Sequence, residues 1–545
     1  MGASPAAAGD APDVEELAPR ERLGLPYPVC GAWQMNTHRA RVLIIGAGIG
    51  GLAAAARLAR MGFAVQVLEK NPEPGGRCGR LIREGHRFDT GPTLLLMPEV
   101  FTQTYADLGE RIEDHLDLIR AEPLYQIFFP DGSRLTMTGD LVALREQLDA
   151  LASGSFEGFV RYLADGHRFY RIAMERFIGR NFPSFFSYFS PAHLRLLLDL
   201  RALAPHYQET GRYVRDPRLR MAMTFQDMYL GLSPYEAPAT YAMLAAAELI
   251  RGIWFPRGGM YRLVESLERI ARGYGAQFVY QAPVQRIETD GDRATAVILE
   301  NGERVEADFI IVNADLPYAY RHLLPPSPEA RRMERYRYTC SAITFYWGLR
   351  APAPQLSAHN LFFAGDYRAS FERIFRDHDM PDAPSFYIHA PARLDPSAAP
   401  PGRDTLMALV PVGHLSPKQP DIETMIHRAR GEVERRLKEE LGIPVGELRH
   451  FEVVYTPETW KRLYNLERGA AFGLSHHFQQ MGYLRPSNRH PRYRNLYFVG
   501  ASTHPGTGLP MVLISARLAV ERLIEEHPIA LRRSWPVPRQ ASASP

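Results

Sequence analysis

Arg41-Val42-Leu43-Ile44-Ile45-Gly46-Ala47-Gly48-Ile49-Gly50-Gly51-Leu52 is the stretch whose reading decides the fold. Arg41 to Ile45 is a short apolar run that suits a buried parallel strand. The glycines of Gly46-x-Gly48-x-x-Gly51 follow at once, and Leu52 to Met61 is Ala-rich and helical in pattern. Gly62 ends that helix, and Ala64 to Leu68 reads as a second strand closing with Glu69. Strand, glycine turn, helix and strand make a βαβ unit. Its glycines permit a tight turn, close approach of backbone to a pyrophosphate and close helix–strand packing. Free N–H groups and the helix dipole favour an anion at the helix start. Glu69, at the end of the second strand, stands where an acid accepts hydrogen bonds from ribose hydroxyls and disfavours a 2′-phosphate. Glycines alone are a weak signal; with the strand before, the helix after and the acid beyond, they predict a dinucleotide site.

Further glycine turns lie outward from this unit. Pro74-Gly-Gly-Arg77 follows the second strand, and Phe88-Asp-Thr-Gly-Pro92 comes soon after. They point to a cofactor longer than NAD, with backbone lying near a flavin, and Arg77 can meet its pyrophosphate as a fixed planar donor. The competing readings are a surface salt bridge for Arg77 and a plain turn for Asp89 to Pro92. Trp254-Phe-Pro-Arg-Gly-Gly259 is another glycine loop, followed by a helical pattern from Tyr261 to Ala271. Phe278 to Tyr280, Val284 to Thr289, Ala294 to Leu299, Arg304 to Ala307 and Phe309 to Val312 read as strands, with Asn301-Gly302 as a hairpin turn. Leu94 to Ile250 is mostly helical in pattern, and Pro317 to Leu484 gives no clear period.

The most specific motif is C-terminal: Asn495-Leu-Tyr-Phe-Val-Gly-Ala-Ser-Thr-His504-Pro-Gly-Thr-Gly-Leu-Pro510 runs from a strand into a helix read from Val512 to Glu525. Its glycines free backbone N–H groups at a helix start. That suits the N1–C2=O edge of an isoalloxazine, where negative charge builds up on reduction. His504 in such a loop orients backbone or cofactor, with a base role as the alternative.

The whole chain has 545 residues, 46% hydrophobic and 23% charged, an ordinary globular composition. A net charge of +3 is too weak to argue for nucleic acid. Cys30, Cys78 and Cys340 are too few and scattered for a disulfide framework or a cysteine zinc site, so the chain reads as reduced and intracellular. No apolar run is long enough to span a bilayer. Met1 to Trp33 is rich in Ala, Pro and Glu and is read as a disordered extension rather than a secretory signal, with Met35 as an alternative start. The tail from Pro528 is read as disordered too. No metal-ligand cluster, Ser-His-Asp motif or Walker loop is present in the sequence.

Gly46 to Gly51, Pro74 to Arg77, Asp89 to Pro92, Trp254 to Gly259 and above all Asn495 to Ser515 together resemble the bacterial-type phytoene desaturases. These are the carotenoid desaturase branch of the flavin amine-oxidase-like superfamily, and the similarity runs from about Arg41 to Leu523. The resemblance implies an α/β fold: a Rossmann-like FAD-binding domain of amine-oxidase type, a substrate domain with a mixed β-sheet, and a helical membrane-facing part. Its expected division is a disordered extension over 1–40; an FAD-binding domain from 41–95, 256–316 and 490–527; a substrate and membrane-associated domain from 96–255 and 317–489; and a tail over 528–545. The cofactor is FAD. The residues expected to hold it are Gly46, Gly48, Gly50, Gly51, Glu69, Lys70, Gly76, Arg77, Gly91, Pro92, Val284, Asn313, Gly500, Thr503, His504, Gly508 and Met511.

The implied reaction takes a hydride to flavin and a proton to a base or water from adjacent carbons of a long linear isoprenoid, extending its conjugation. Few polar catalytic groups are needed, because the protein supplies position and a dry slot. In some relatives an acid and an arginine occupy the helix matching Tyr162 to Tyr170. Here Ala164 and His167 align with them, with Asp165 and Arg168 adjacent, so Asp165 and His167 are the catalytic candidates, against a reading as solvated residues on a helix face. Transfer from bilayer to an apolar tunnel gains almost nothing, whereas transfer from water gains about 0.8 kcal/mol per CH₂, so the tunnel is expected to open on a membrane. Phe182 to Leu203, with its aromatics, leucines and arginines, is the candidate surface, against a reading as internal core. The expected placement is cytoplasmic and peripheral to the membrane. The alternatives are a carotenoid oxygenase or ketolase of the same fold, and a non-enzymatic prenyl-binding protein resembling GDP-dissociation inhibitors.

Overall fold

In the computed structural model, residues 39–182 and 184–528 are described. Most of the expected N-terminal extension, with Cys30 and Met35, and all but the first residue of the expected tail lie outside the described residues. Five parallel strands form the central sheet in the order Leu496–Phe498, Phe309–Val312, Arg41–Ile45, Ala64–Leu68 and Gln277–Val279. Three separated stretches of chain contribute to it. The continuous apolar runs follow from cover on both faces. Val42, Ile44, Val65 and Val67 pack toward the helices Ile49–Arg60, Tyr261–Gly273 and Leu509–Glu526. Leu43, Ile45, Ile310 and Val312 pack toward an antiparallel sheet of Val284–Asp290, Arg293–Leu299 and Arg304–Glu306. The first helix begins at Ile49, three residues before the apolar pattern does, which places Gly50 and Gly51 in its opening turn.

The stretch without a clear sequence period holds five strands of a seven-stranded mixed sheet. Its order is Arg449–Tyr455, Ser341–Leu349, Asp404–Val412, Phe386–His389, His359–Phe362, Tyr125–Phe128 and Arg134–Met137. The last two strands, with Leu118–Arg120, interrupt a region whose pattern reads as helical. Ile343, Phe345, Trp347, Leu406, Ala408 and Val410 face the helix Ile422–Leu441. Strand residues alternate faces, so Thr344, Leu409 and Pro411 lie on the other side, where they line a large cavity.

A helical layer closes that cavity. The helix Ser155–Ala173 packs on Ala242–Arg251. A Cβ at Gly166 would lie 2.6 Å from the Ala242 carbonyl oxygen, so glycine is what lets the two helices meet. Among the described residues no helix is long and apolar enough to cross a membrane, and no group of side chains is arranged to hold a metal ion.

Candidate functional site

One cavity of about 700 Å³ runs from the glycine turns to the face of the seven-stranded sheet. Its walls at one end are backbone. Gly46, with φ +97°, donates its N–H to the Leu68 carbonyl (2.7 Å), which ties the turn to the second strand. Gly48 caps the helix from an extended conformation, and a Cβ there would sit 2.8 Å from Asn313 Nδ2. Asn313 donates through the same Nδ2 to the Gly46 carbonyl (3.2 Å). Gly50 leaves room for Asn313 Oδ1 and Val499, each 2.6 Å from where its Cβ would lie. Gly51 is the exception among these glycines: it does not line the cavity, and its Cβ position is 2.1 Å from the Gly46 carbonyl oxygen. Its part is close packing of helix on turn.

Glu69 is buried and accepts from the backbone N–H groups of Ala47 (2.8 Å) and Asn71 (2.9 Å). Burial raises its pKa, against those two hydrogen bonds. Each carboxylate oxygen keeps a second lone pair for a hydroxyl group. Lys70, whose pKa is lowered by burial, donates to the Arg462 carbonyl (2.9 Å). Both line the same end as Val284.

Gly76 and Arg77 follow along the wall, and Arg77 donates Nη1 to the Ala471 carbonyl (2.9 Å) while burial lowers its pKa. Gly91 and Pro92 line the cavity beside them. The Cβ of any residue replacing Gly91 would fall 1.9 Å from the Arg77 carbonyl oxygen, so the two glycine turns read separately in the sequence are in contact. Asp89, two residues earlier, accepts from the Met260 N–H (2.8 Å), tying in the Trp254–Gly259 loop, and burial pushes its carboxyl up to about 7.

The C-terminal loop lines the middle of the cavity with Gly500, Thr503, His504, Gly508 and Met511. Gly500 (φ +131°) and Gly508 (φ +103°) are in backbone conformations that side chains disfavour. Gly508 caps the helix Leu509–Glu526, so this helix also starts on the cavity and presents first-turn N–H groups there. Thr507 donates its N–H to His476 Nε2 (2.9 Å). His504 is buried and bonds the Arg180 carbonyl through Nε2 (3.1 Å). Nε2 therefore carries the proton, and Nδ1 is a buried lone pair without a partner. Burial pushes the His504 pKa down to about 4, so the ring is neutral at pH 7.

Beyond this loop the wall turns apolar. Tyr229, Met243 and Leu244 face Leu361, Tyr387 and Leu409 of the sheet. Toward the surface the lining passes to Tyr188, Leu197, Leu200 and Ala202. Interleaved with them, Phe186 is 84% exposed, Leu198 66%, Leu203 67%, Phe185 49% and Leu194 46%. The Phe182–Leu203 segment is therefore neither all core nor all surface: one set of side chains lines the cavity and the other faces outward.

Asp165 and His167 are not among the lining residues. Asp165 accepts from the Tyr213 hydroxyl (2.6 Å) and pairs with Arg168 (3.5 Å) and Arg201 (3.7 Å); His167 is half-buried on the same helix. His476, Tyr229, Leu409 and Arg485 belong to the site or its support without any local motif to mark them.

The sequence profile of the flavin-containing amine oxidoreductases matches residues 49–524. A zeta-carotene-forming phytoene desaturase of Myxococcus xanthus is 47% identical over 517 residues, covering 94% of this chain and 98% of the relative. A 4,4′-diapolycopene oxygenase of a Methylomonas species is 32% identical over 505 residues, covering 90% of this chain and 100% of the relative. A putrescine oxidase structure superposes with a TM-score of 0.61 at 17% identity, covering 91% of this chain and 99% of that one, a likeness of fold.

Proposed function

The chain belongs to the flavin-containing amine oxidoreductase family, and from that footing we propose that it is an FAD-dependent desaturase of a linear carotenoid such as phytoene. One observation carries the reading: a single cavity joins a dinucleotide cradle to an apolar slot that leads to exposed apolar side chains. The cradle fits FAD on this chain's own geometry. Gly48 lines the cavity at the helix start with no room for even a Cβ beside Asn313, which leaves backbone alone to meet a pyrophosphate, and Glu69 keeps lone pairs for ribose. In this reading 41–95, 256–316 and 490–527 form the FAD-binding unit. Gly46, Gly48, Gly50, Gly76 and Arg77 hold the pyrophosphate region; Glu69, Lys70 and Val284 the nucleoside; Asn313, Gly91, Pro92 and the Gly500–Met511 loop the remainder.

Bound FAD supplies a two-electron acceptor for a hydride from an allylic carbon. The protein holds the chain straight against it and keeps water out, which the apolar lining does. Lining residues carry several buried polar atoms without a partner, among them Thr90 Oγ1, Thr344 Oγ1, His476 Nδ1 and His504 Nδ1, and to the imidazole lone pair at His504 Nδ1 we assign the proton lost from the neighbouring carbon. A base whose pKa lies near 4 is unprotonated across the neutral range. Activity should therefore be flat from pH 6 to 8 and fall only as the pH drops toward 4, where protonation fills the lone pair. His504→Gln should lower kcat roughly 10²-fold with flavin retained. A wild-type inflection near 6.5 that vanishes in His504→Gln would contradict the neutral ring.

The exposed Phe185, Phe186, Leu194, Leu198 and Leu203 are proposed to seat the slot's mouth on a membrane surface, so that the substrate passes from bilayer to slot without crossing water. Phe185, Phe186 and Leu198 changed together to Ser should weaken liposome binding more than tenfold, since burying each such side chain is worth about 1.5–3 kcal/mol when complete and 1.4 kcal/mol is tenfold. Unchanged co-sedimentation would place the membrane contact elsewhere.

Expression in a host that accumulates phytoene tests the whole reading. A coloured extract whose absorption bands lie to the red of the precursor is the expected result, with no oxygen added to the product. A colourless extract from folded, flavin-loaded protein would overturn it, and a product containing oxygen would favour oxygenase chemistry.

A further inference from the structure

Arg485 is 3% exposed and lies in a loop. A guanidinium taken out of water normally sits against a carboxylate, yet Arg485 has no ion-pair partner among the described residues. Its bonds run to backbone carbonyls: Nη1 to Ser475 (2.9 Å) and Gln480 (3.1 Å), Nη2 to Leu474 (3.1 Å) and Ala501 (2.5 Å), and Nε to Thr503 (3.0 Å). The side chain thus stitches the 474–480 segment to the loop that lines the middle of the cavity. It remains a cation at neutral pH, although burial pulls its pKa down to about 10. Asp315, whose field reaches it, lies beyond Ser502 and is engaged by the Ser502 hydroxyl (2.7 Å) and the Glu467 N–H (3.2 Å).

The bond to Ala501 has a consequence for the next residue. In a trans peptide the C=O and the following N–H point in opposite directions. With the Ala501 carbonyl pinned on Arg485, the Ser502 N–H is turned away from it. That N–H has no partner among the backbone and side-chain acceptors of the described residues, and Ser502 lines the cavity. Another donor of the loop, the Thr507 N–H, is already taken by His476, and the Ser502 N–H joins those of the Leu509–Glu526 first turn as donors left open on the cavity side.

We propose that Arg485 is a positioning residue for the flavin: it fixes the Ala501–Ser502 peptide so that the Ser502 N–H is offered to the flavin edge that gains negative charge on reduction, and its uncompensated charge lies behind that same peptide. The inference rests on the FAD reading above. Arg485 does not touch the substrate and is not catalytic. Its effect belongs in the balance between oxidised and reduced flavin, because a donor and a cation at that edge favour the reduced form.

The test is the midpoint potential of the flavin in purified holoenzyme, measured by spectroelectrochemistry beside flavin occupancy and melting temperature. R485M keeps the bulk without the charge or the donors. It should shift the reduced-to-oxidised preference at least tenfold toward the oxidised form, a fall of about 30 mV for a two-electron couple. R485K keeps the charge without the planar fork and should fall by a smaller amount. A merely structural arginine would cost occupancy and melting temperature in both variants while the flavin still bound kept its preference within twofold of wild type; that result overturns the proposal. Where R485M does not fold, R485K decides alone: a threefold or larger shift supports the positioning role, and an unchanged potential removes it. A reconstituted wild-type protein that takes up no flavin would instead defeat the cofactor reading itself.

Discussion

Gly48→Val should purify without flavin. The backbone at Gly48 (φ −68°, ψ 172°) is one that valine adopts freely, so strain is not the cause. The cause is space. A Cβ there lies 2.8 Å from Asn313 Nδ2, an atom that also holds the Gly46 carbonyl, and 4.0 Å from the Gly75 carbonyl oxygen. Two further methyl groups have only the cavity to enter, where the helix start presents its N–H groups. A pyrophosphate displaced from those donors loses the contacts for which the turn is built. A thousandfold loss of affinity, about 4 kcal/mol, would leave the variant colourless at ordinary concentrations. Its melting temperature should fall only slightly below that of flavin-free wild type, because the Asn313 amide that holds the Gly46 carbonyl is the one contact that must shift. The ratio of flavin to protein absorbance, before and after incubation with excess FAD, is the measurement. Full occupancy would place the pyrophosphate away from this turn.

Local chemistry decides how much of this could be read from sequence. The strands Arg41–Ile45 and Ala64–Leu68 were legible because a parallel strand covered on both faces is continuously apolar and the glycines punctuate it. The Asn301-Gly302 hairpin was legible because the turn needs a residue such as Gly302, with φ +87°. Ser341–Leu349 failed the same reading for a physical reason. One of its faces packs on a helix and the other closes a cavity, so all nine residues are buried and no polar–apolar alternation marks the strand. Tyr125–Phe128 and Arg134–Met137 are short strands set in a region whose surrounding pattern is helical, and that context hides them.

The glycine positions of the candidate site carry their signal in the sequence, because a positive φ at Gly46, Gly76, Gly500 and Gly508 and the lack of room for a Cβ at Gly48, Gly50, Gly51 and Gly91 call for glycine. Arg485 and Leu409 carry none. Their surroundings come from segments far away in the chain, and a lone arginine before a proline or a leucine in an apolar run is compatible with many environments. Asp165 shows the converse case: an acid at a suggestive place on a helix, whose local pattern says nothing of Tyr213 and the two arginines that engage it.

Leu409→Trp should leave the protein folded and flavin-loaded but unable to make pigment. Leu409 sits on the strand Asp404–Val412, paired with Thr344 on one side and Tyr387 on the other. Its neighbours Ala408 and Val410 are fully buried on the helix-facing side, whereas Leu409 keeps free surface and lines the cavity. The parity of the strand fixes the direction, so a larger side chain cannot swing back into the packed layer. It must project into the slot. Existing free space keeps the folding penalty near the usual 1–3 kcal/mol for an enlarged side chain, within the 5–15 kcal/mol stability of a folded domain. None of the glycine turns is touched, and flavin occupancy should match wild type. A growing polyene is stiff and must lie straight along the slot, so an indole across its path is not bypassed by bending. Carotenoid desaturation in a phytoene-accumulating host should fall at least tenfold, while Leu409→Ala, which only widens the slot, should keep its colour. Full pigment from Leu409→Trp would mean that the substrate does not run over this face of the sheet. The apolar limb would then need another occupant, even with the flavin in place.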